Sequence, residues 1–156
     1  MKESLYLETS VVSYYASRLS KIVRVRTHQR ITREWWPSLS RFRVCVSPVV
    51  LEEVRRGDPG AAERRLDAVR DFTHLELTPA VERLAALYLE ALNIPKKAFR
   101  DAAHLAVAAV HEMDYLVTWN CEHLANAKVM KQLWELNATH GVHTPVICTP
   151  EELMEV

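Results

Sequence analysis

The feature that most constrains the fold is an alternation of short apolar segments with longer amphipathic ones along almost the whole chain of 156 residues. The short segments are rich in residues that favour β-strands, and the longer ones show the three- to four-residue apolar spacing of helices. Strands that alternate with helices through short connections are typical of α/β domains with parallel strands. The sequence therefore predicts one α/β domain over residues 1–156, with a mostly parallel central sheet.

The bounds of the predicted elements follow from this alternation. Strands are predicted within residues 4–10, 41–48, 74–79, 115–119 and 145–150, and helices within residues 11–17, 26–36, 48–56, 59–72, 80–92, 100–112 and 121–141. Helix-capping residues support several of these starts: Thr9 or Ser10 before the first helix, Ser47 before Pro48, and Thr78 before Pro79.

Glycine and cysteine usage excludes several classes of protein. With only three glycines, the chain cannot contain a glycine-rich phosphate loop of the Walker or dinucleotide-binding type. Cys45, Cys121 and Cys148 are odd in number and widely spaced, which fits neither a disulfide framework nor a zinc knuckle. No apolar run approaches the roughly 20 residues that cross a membrane, and the first residues lack the apolar core of a signal peptide. We therefore expect a cytoplasmic protein that does not associate with membranes.

Charge is divided unevenly although the net charge is zero. Residues 1–56 hold 11 Lys and Arg against 5 Asp and Glu (+6), whereas residues 57–156 hold 9 against 15 (−6). A basic half could attract the phosphate backbone of a nucleic acid. Alternatively, these arginines are ordinary solvated residues on helix surfaces.

Acidic and amide residues occur where several predicted strands end. In parallel α/β sheets, ligands bind beyond the carboxyl ends of the strands. Glu8 ends the first strand, Glu53 lies on the helix after the second, and Asn120 follows the fourth. Asp101 joins the same edge if the helix predicted from residue 100 starts there. Four remote segments would then converge on one edge of the sheet.

Clustered carboxylates predict a hard divalent cation. Neighbouring carboxylates repel and raise each other's pKa unless a cation neutralises them. Mg²⁺ or Mn²⁺ does so through oxygen ligands, accepts substrate phosphate, and can activate a water for attack on a phosphodiester. Each residue also has an ordinary interpretation: Asp101 as an acid favoured by the helix dipole, Glu8 as a salt-bridge partner, Glu53 as a solvated helix residue, and Asn120 as a cap.

Histidines offer a different kind of metal site. His104 and His111 lie seven residues apart, near one face of the predicted helix, and His140 and His143 frame a turn. The alternative is that these are core and surface histidines. A helix that carries an aspartate at one end favours oxygen ligands over a zinc site.

Several motifs resemble the PIN domain family, and within it the VapC-like group of bacteria and archaea. They are YLETSVV (6–12), SPVVLEEVRRGD (47–58), RDAAHLAVAAVHEMDYLVTWN (100–120) and PVICTPEEL (145–153). In order and spacing, the resemblance extends from about residue 4 to residue 153. It implies a three-layer α/β/α sandwich and a metal-dependent ribonuclease, commonly the toxin of a toxin–antitoxin pair.

The resemblance also implies which residues form the site. Glu8 matches an acid that is normally aspartate, Glu53 a glutamate before an aliphatic residue, Asp101 the aspartate that opens the alanine-rich helix, and Asn120 an aspartate after the fourth strand. Glu8, Asp101 and Asn120 are expected to ligate Mg²⁺ or Mn²⁺, while Glu53 acts on the attacking water. Supporting roles are expected for Thr9, Thr118, His123 and Asn126.

Two of these four residues depart from the family pattern. Glu8 keeps the charge but is longer by one methylene, and Asn120 offers a carbonyl oxygen without a charge. The site would hold three negative charges instead of four, which favours one metal over two and a reduced affinity. The alternative function is therefore a catalytically weakened PIN-like module that binds RNA or regulates without cutting.

The resemblance further implies binding partners. These are an RNA substrate, a small antitoxin whose helix covers an apolar groove, and a second copy of the chain in a homodimer. Five apolar side chains are candidates for the groove or, alternatively, for internal packing: Trp35, Trp36, Leu84, Leu87 and Tyr88.

Overall fold

Within residues 1–155, the part of the chain that the computed structural model describes, five short strands form a parallel sheet and seven α-helices cover it. The strands are β1 (Ser4–Leu7), β2 (Arg43–Val46), β3 (Thr73–His74), β4 (Tyr115–Val117) and β5 (Val146–Cys148). The helices are α1 (Thr9–Ala16), α2 (Val23–Trp35), α3 (Pro48–Val54), α4 (Pro59–Val69), α5 (Pro79–Ala91), α6 (Phe99–Val110) and α7 (Ala127–His140). Short 3-10 helices lie at Trp36–Arg41, Lys96–Ala98 and Glu151–Leu153.

The strand order is β3-β2-β1-β4-β5, and every neighbouring pair is parallel. All four residues of the central strand β1 are buried, as expected for a parallel sheet with helices on both faces. The predicted α/β/α architecture with a parallel sheet is thus confirmed. From β1 the chain adds β2 and β3 on one side of the sheet, and it then adds β4 and β5 on the other side. The strand order therefore reverses between β1 and β4. The carboxyl ends of these two strands form the switch point where α/β sheets bind ligands.

The pairing register brings two polar side chains together at this switch point. Leu7 of β1 lies opposite Val117 of β4, and the Glu8 amide donates a hydrogen bond to the Val117 carbonyl (3.1 Å). Glu8 and Thr118 are the next residues along the two strands, and both are buried. The sheet therefore ends in a carboxylate and a hydroxyl held side by side.

Buried apolar side chains from strands and helices form one contiguous core. α6 contributes the buried run 105–109, whose alanines allow close packing against α5. Of the five candidate groove residues, Trp35, Leu84 and Tyr88 are buried in this core, whereas Trp36 and Leu87 are half-buried at its margin. Internal packing therefore accounts for most of that set.

The start of α1 differs from the prediction. The helix begins at Thr9, with Glu8 in the N-cap position and no side-chain cap. The hydroxyls of Thr9 and Ser10 bond to carboxylates instead of to the helix backbone. The prediction that Thr9 or Ser10 caps this helix is therefore wrong, because the acids compete successfully for both hydroxyls.

Other element ends shift by a few residues for local reasons. α7 begins at Ala127, because Asn126 Oδ1 accepts hydrogen bonds from the Lys128 and Val129 amides, and residues 121–126 form turns before it. α6 ends at Val110, and two residues later Glu112 adopts the left-handed conformation (φ 53°) that often follows a helix end. β3 is shorter than predicted, only two exposed residues at the edge of the sheet. Among residues 1–155, no helix combines the length and hydropathy needed to span a bilayer.

Candidate active site

Glu8 lies at the centre of the site, just beyond the end of β1. The residue is 5 % exposed, and Oε1 accepts hydrogen bonds from Ser10 Oγ (2.5 Å) and Thr118 Oγ1 (2.6 Å). Two hydroxyls, one from α1 and one from the end of β4, therefore fix this carboxylate. A buried carboxylate is tolerated when donors satisfy it in this way.

Glu53 reaches the same place from α3. Its Oε1 accepts hydrogen bonds from Thr9 Oγ1 (2.8 Å) and His104 Nε2 (2.6 Å). His104 Nε2 also lies 3.9 Å from Glu8 Oε2. The three side chains Glu8, Glu53 and His104 place a potential ligand atom each within 4.8 Å of one another.

A buried hydrogen-bond chain orients His104. The imidazole is completely buried, and its Nδ1 is 2.7 Å from the Tyr6 hydroxyl. That hydroxyl is in turn 2.7 Å from Ser47 Oγ. Ser47 stands at the N-cap of α3, as predicted, but its hydroxyl contacts Tyr6 and makes no capping bond. The core of the sheet thus fixes the ring that contacts Glu53.

The pKa values of His104 and Glu53 shift in the directions of an ion pair. Burial lowers the pKa of His104, but the hydrogen bond to Glu53 and the charges of Glu8, Glu53 and Asp101 outweigh burial and leave that pKa raised. Burial raises the pKa of Glu53, but the hydrogen bond and charge of His104 outweigh it and leave the pKa of Glu53 lowered. Both shifts favour an imidazolium beside a carboxylate.

Asp101 lies near the same cluster. It lies in the first turn of α6, as predicted, three residues before His104 and therefore on the same side of the helix. Its Oδ2 is 2.9 Å from Nδ1 of His123. Asp101 is outside the close group of Glu8, Glu53 and His104, although its charge contributes to the raised pKa of His104.

Asn120 is joined to the site through its backbone, while its side chain holds the turn that follows. Its amide donates to Thr118 Oγ1 (2.9 Å), the hydroxyl that also binds Glu8. Its Oδ1 accepts hydrogen bonds from the amides of Glu122 (3.2 Å) and His123 (3.0 Å). This turn positions His123 against Asp101.

Asn126 is the one predicted supporting residue whose contacts lead away from the acids. Its Oδ1 caps α7, and its Nδ2 donates to the Cys121 carbonyl (3.3 Å). Thr9, Thr118 and His123 each bind one of the predicted acids.

Three carboxylate oxygens in the site accept no hydrogen bond from residues 1–155. They are Oε2 of Glu8, Oε2 of Glu53 and Oδ1 of Asp101. Oxygen donors of this kind are the preferred ligands of Mg²⁺ and Mn²⁺. The donor set therefore fits a hard divalent cation.

Sequence reasoning missed His104 as a member of the site. The available signal was its position, one helical turn after Asp101 in a segment otherwise composed of apolar residues. The other three histidines considered for a histidine metal site do not join it. His111 bonds to the Glu76 carbonyl, His140 to the Leu136 carbonyl and His143 to the Met113 carbonyl.

Comparison with known proteins identifies the family. The family model described as the PIN domain matches residues 5–128. No curated protein matches the chain. The matched residues include Glu8, Glu53, Asp101 and Asn120.

Two solved structures share the fold. The first is VapC20 of Mycobacterium tuberculosis, described as a sarcin-ricin loop cleaving toxin, with a TM-score of 0.59 and 19% identity over 76% of this chain and 92% of that one. The second is VapBC2 of Rickettsia felis bound to a DNA fragment from its promoter, with a TM-score of 0.59 and 13% identity over 93% and 97% of the two chains. From the family match over most of its length, the chain belongs to the PIN domain family.

Proposed function

We propose that this chain is a metal-dependent endoribonuclease of the PIN-domain type. The observation that carries the proposal is the close approach of Glu8 and Glu53 beside His104 at the switch point of the sheet, with Asp101 one turn before His104 on α6. Each of the three acids has one carboxylate oxygen free of hydrogen bonds within residues 1–155. The family match and the likeness to VapC20 support RNA as the substrate.

The ion would be Mg²⁺ or Mn²⁺, held by Glu8 and Asp101 directly or through water. Asn120 would contribute through water, because its Oδ1 already accepts two backbone hydrogen bonds. Such an ion, when bound, neutralises charge at a phosphodiester and activates a water. His123 would hold Asp101 in place through the contact at Oδ2.

Glu53 would orient the attacking water through its free Oε2. Thr9 and His104 fix the other oxygen, so the direction of the free one is set before substrate binds. A lowered pKa keeps Glu53 ionised and makes it a weak base. The role that follows for Glu53 is to position the water, whose acidity a bound ion would raise.

Cleavage of a mixed RNA in Mn²⁺ tests the proposal. Asp101→Asn and Glu53→Gln should each lower the rate by about 10²-fold or more, because each removes a charge on which the reaction depends. Glu52→Gln is the matched control, since Glu52 is the exposed neighbour that pairs with Arg56 and Arg100. Equal cleavage by wild type, Asp101→Asn and Glu53→Gln would refute the nuclease.

A second candidate function is a PIN-like module that binds RNA without cutting it. The observations that favour it are the uncharged Asn120 and the His104 ring, which already neutralises part of the Glu8–Glu53 cluster. Thermal denaturation with increasing Mn²⁺ separates the two functions, because a bound metal raises the melting temperature. RNA binding with no shift at millimolar Mn²⁺ would support the non-cutting module.

We also propose that the chain acts as the toxin of a toxin–antitoxin pair in the cytoplasm. The likeness to VapBC2 supports a small antitoxin partner. Leu19, Ile22 and Val23 offer exposed apolar surface where the chain enters α2. Growth arrest on expression, relieved by co-expression of a neighbouring small gene, would support the pair. Light scattering on the purified chain would test the homodimer.

A further inference from the structure

Three aromatic rings pack together beside the site without taking part in the proposed reaction. The His28 imidazole of α2 stacks on the Trp119 indole, with centroids 4.1 Å apart and planes 12° apart. The Tyr14 ring of α1 lies 6.0 Å from His28 and 6.3 Å from Trp119, tilted to both. We call Tyr14, His28 and Trp119 the aromatic cluster.

Trp119 joins this cluster to the acids through hydrogen bonds. Its amide donates to Ser10 Oγ (2.8 Å), and the same hydroxyl donates to Glu8 Oε1 (2.5 Å). Its indole N–H donates to Thr32 Oγ1 (2.7 Å) on α2. Two hydrogen bonds therefore link the cluster to the central carboxylate, and a third ties the Trp119 ring to the helix that carries His28.

Two members of the cluster are partly exposed. Trp119 is only 8 % exposed, whereas His28 and Tyr14 are half-buried. Burial and the charge of Arg24 lower the pKa of His28, which favours a neutral ring at neutral pH. A flat, neutral ring with a solvent-accessible side is a surface on which another planar group can stack.

The segment that carries His28 is strongly basic. Residues 18–33 contain six Arg and Lys and no Asp or Glu. Arg24 is exposed and lies one turn before His28 on the same side of α2. Within residues 1–155, Arg18, Arg24 and Arg26 have no carboxylate within 4 Å. Glu151 is an acid close enough to affect the pKa of His28.

We propose that the exposed face of Tyr14 and His28, with Arg24, binds single-stranded RNA next to the acidic site, a nucleobase stacking on the rings and a phosphate contacting the arginine. The inference rests on the proposed function and adds to it a base-stacking surface outside the acidic site. Stacking on aromatic rings with a cationic track is the usual mode of binding to single strands. Bases within a duplex are stacked and cannot reach such a surface, so the strand must be single at this point.

Binding without cleavage tests the cluster independently of the nuclease. The probe is a fluorescent oligoadenylate of about twelve nucleotides, followed by anisotropy in EDTA, where metal-dependent cleavage is absent. His28→Ala should weaken binding about tenfold, the size of one lost stacking contact. His28→Phe should retain most of the affinity because it keeps the ring. His140→Ala, an exposed histidine on α7, is the matched control and should bind as wild type does.

An abasic oligomer of equal length separates stacking from charge. Wild type should prefer the oligoadenylate by about tenfold, whereas His28→Ala should bind both oligomers with nearly equal affinity. Tyr14→Ala should lose part of the same preference. Because each variant is its own reference, the ratio of its two affinities does not depend on small changes in stability. The ratio can therefore be compared with wild type even if a variant melts at a lower temperature.

Salt dependence tests the arginine. Arg24→Ala should flatten the slope of log affinity against log salt by about 0.7, the value for one phosphate contact to a single strand. Arg83→Ala on α5 makes the same charge change at another exposed site and should leave the slope unchanged. Glu151→Gln should tighten binding, because it removes an acid near the cluster.

The failures of the two proposals are distinguishable. Binding of the abasic or duplex probe as tightly as the oligoadenylate, or unchanged binding by His28→Ala, would overturn the stacking surface even if the protein cuts RNA. The opposite outcome is also possible: His28→Ala loses the preference for the oligoadenylate, and wild type shows no Mn²⁺-dependent cleavage. That outcome would support the stacking surface and refute the nuclease.

Discussion

His104 is the residue on which the electrostatics of the site depend. Its buried imidazole contacts Glu53 at 2.6 Å and faces Glu8 at 3.9 Å, so a single cation partly neutralises two carboxylates. Removing one partner of a buried pair leaves a charge in a poorly solvated place, which costs more than the pair itself contributes. In the metal-free protein, His104 therefore makes the crowding of Glu8 and Glu53 tolerable.

Replacement of His104 should destabilise the metal-free protein. We expect His104→Gln to lower the free energy of unfolding in EDTA by about 3 kcal/mol, measured by urea denaturation, because both carboxylates lose their neutralising partner. His111→Gln is the control, since the His111 side chain bonds to the Glu76 carbonyl at the surface and contacts neither acid. A loss for His104→Gln no larger than that of the control would contradict this account.

The same pair predicts how stability depends on pH. The raised pKa of His104 adds stability that is complete below its ordinary value of 6.5 and disappears as pH rises through the raised value. The lowered pKa of Glu53 adds stability that is complete above its ordinary value of 4.5 and disappears as pH falls through the lowered value. In urea denaturation of the metal-free protein, the free energy of unfolding should decline above pH 6.5, and His104→Gln should abolish this decline. A decline that is the same in wild type and in His104→Gln would mean that another group causes it.

Asn120 offers a residue-level test of metal affinity. Asn120→Asp adds a negative charge and keeps an oxygen that can accept the Glu122 and His123 amides. We expect Mn²⁺ to bind about tenfold more tightly, since ligand charge sets the affinity of such sites. Calorimetric titration measures the change. An unchanged affinity for Mn²⁺ would mean that the Asn120 side chain only holds the turn and does not contribute to metal binding.

Among the elements, the ends of helices carry the site, and their local chemistry decides where they begin. α1 starts directly after Glu8, and Asp101 stands in the first turn of α6. Asn126 defines the start of α7 in the same manner but binds none of the predicted acids. A helix start can thus place a candidate site residue or merely a structural one.

Asn126→Ala should affect stability and leave catalysis alone. The loss of a cap that accepts two backbone amides should lower the free energy of unfolding by about 1 kcal/mol. The rate of RNA cleavage in Mn²⁺, measured at a temperature where the variant is folded, should equal that of wild type. Reduced cleavage by the folded variant would instead return Asn126 to a role beside the metal.

The elements also explain how far the sequence alone could lead. Every strand and helix except β3 was predicted near its observed place, because apolar periodicity and cap-plus-proline signals such as Thr78-Pro79 are local. β3 was misplaced because an exposed edge strand of two residues carries almost no apolar pattern. His104 was missed because its partners, Tyr6 and Glu53, are remote in sequence, and only the parallel register brings them together.

At the scale of the whole molecule, topology creates the site. β1 and β4 are more than 100 residues apart in the chain but adjacent in the sheet, and the helices between them deliver Glu53 and Asp101 to the same edge. The basic segment 18–33 lies beside this edge through the contact of α2 with Trp119. The molecule thus places acids suited to a cation next to a surface suited to a polyanion.

Anomalous scattering from crystals grown with MnCl₂ tests this convergence most directly. The account predicts one manganese peak whose ligands, directly or through one water, include the carboxylates of Glu8 and Asp101. Crystals of Glu8→Gln under the same conditions should show a weakened peak or none. A wild-type crystal with no manganese at this edge, and with His104 still holding Glu53, would contradict the metal site and with it the proposed nuclease.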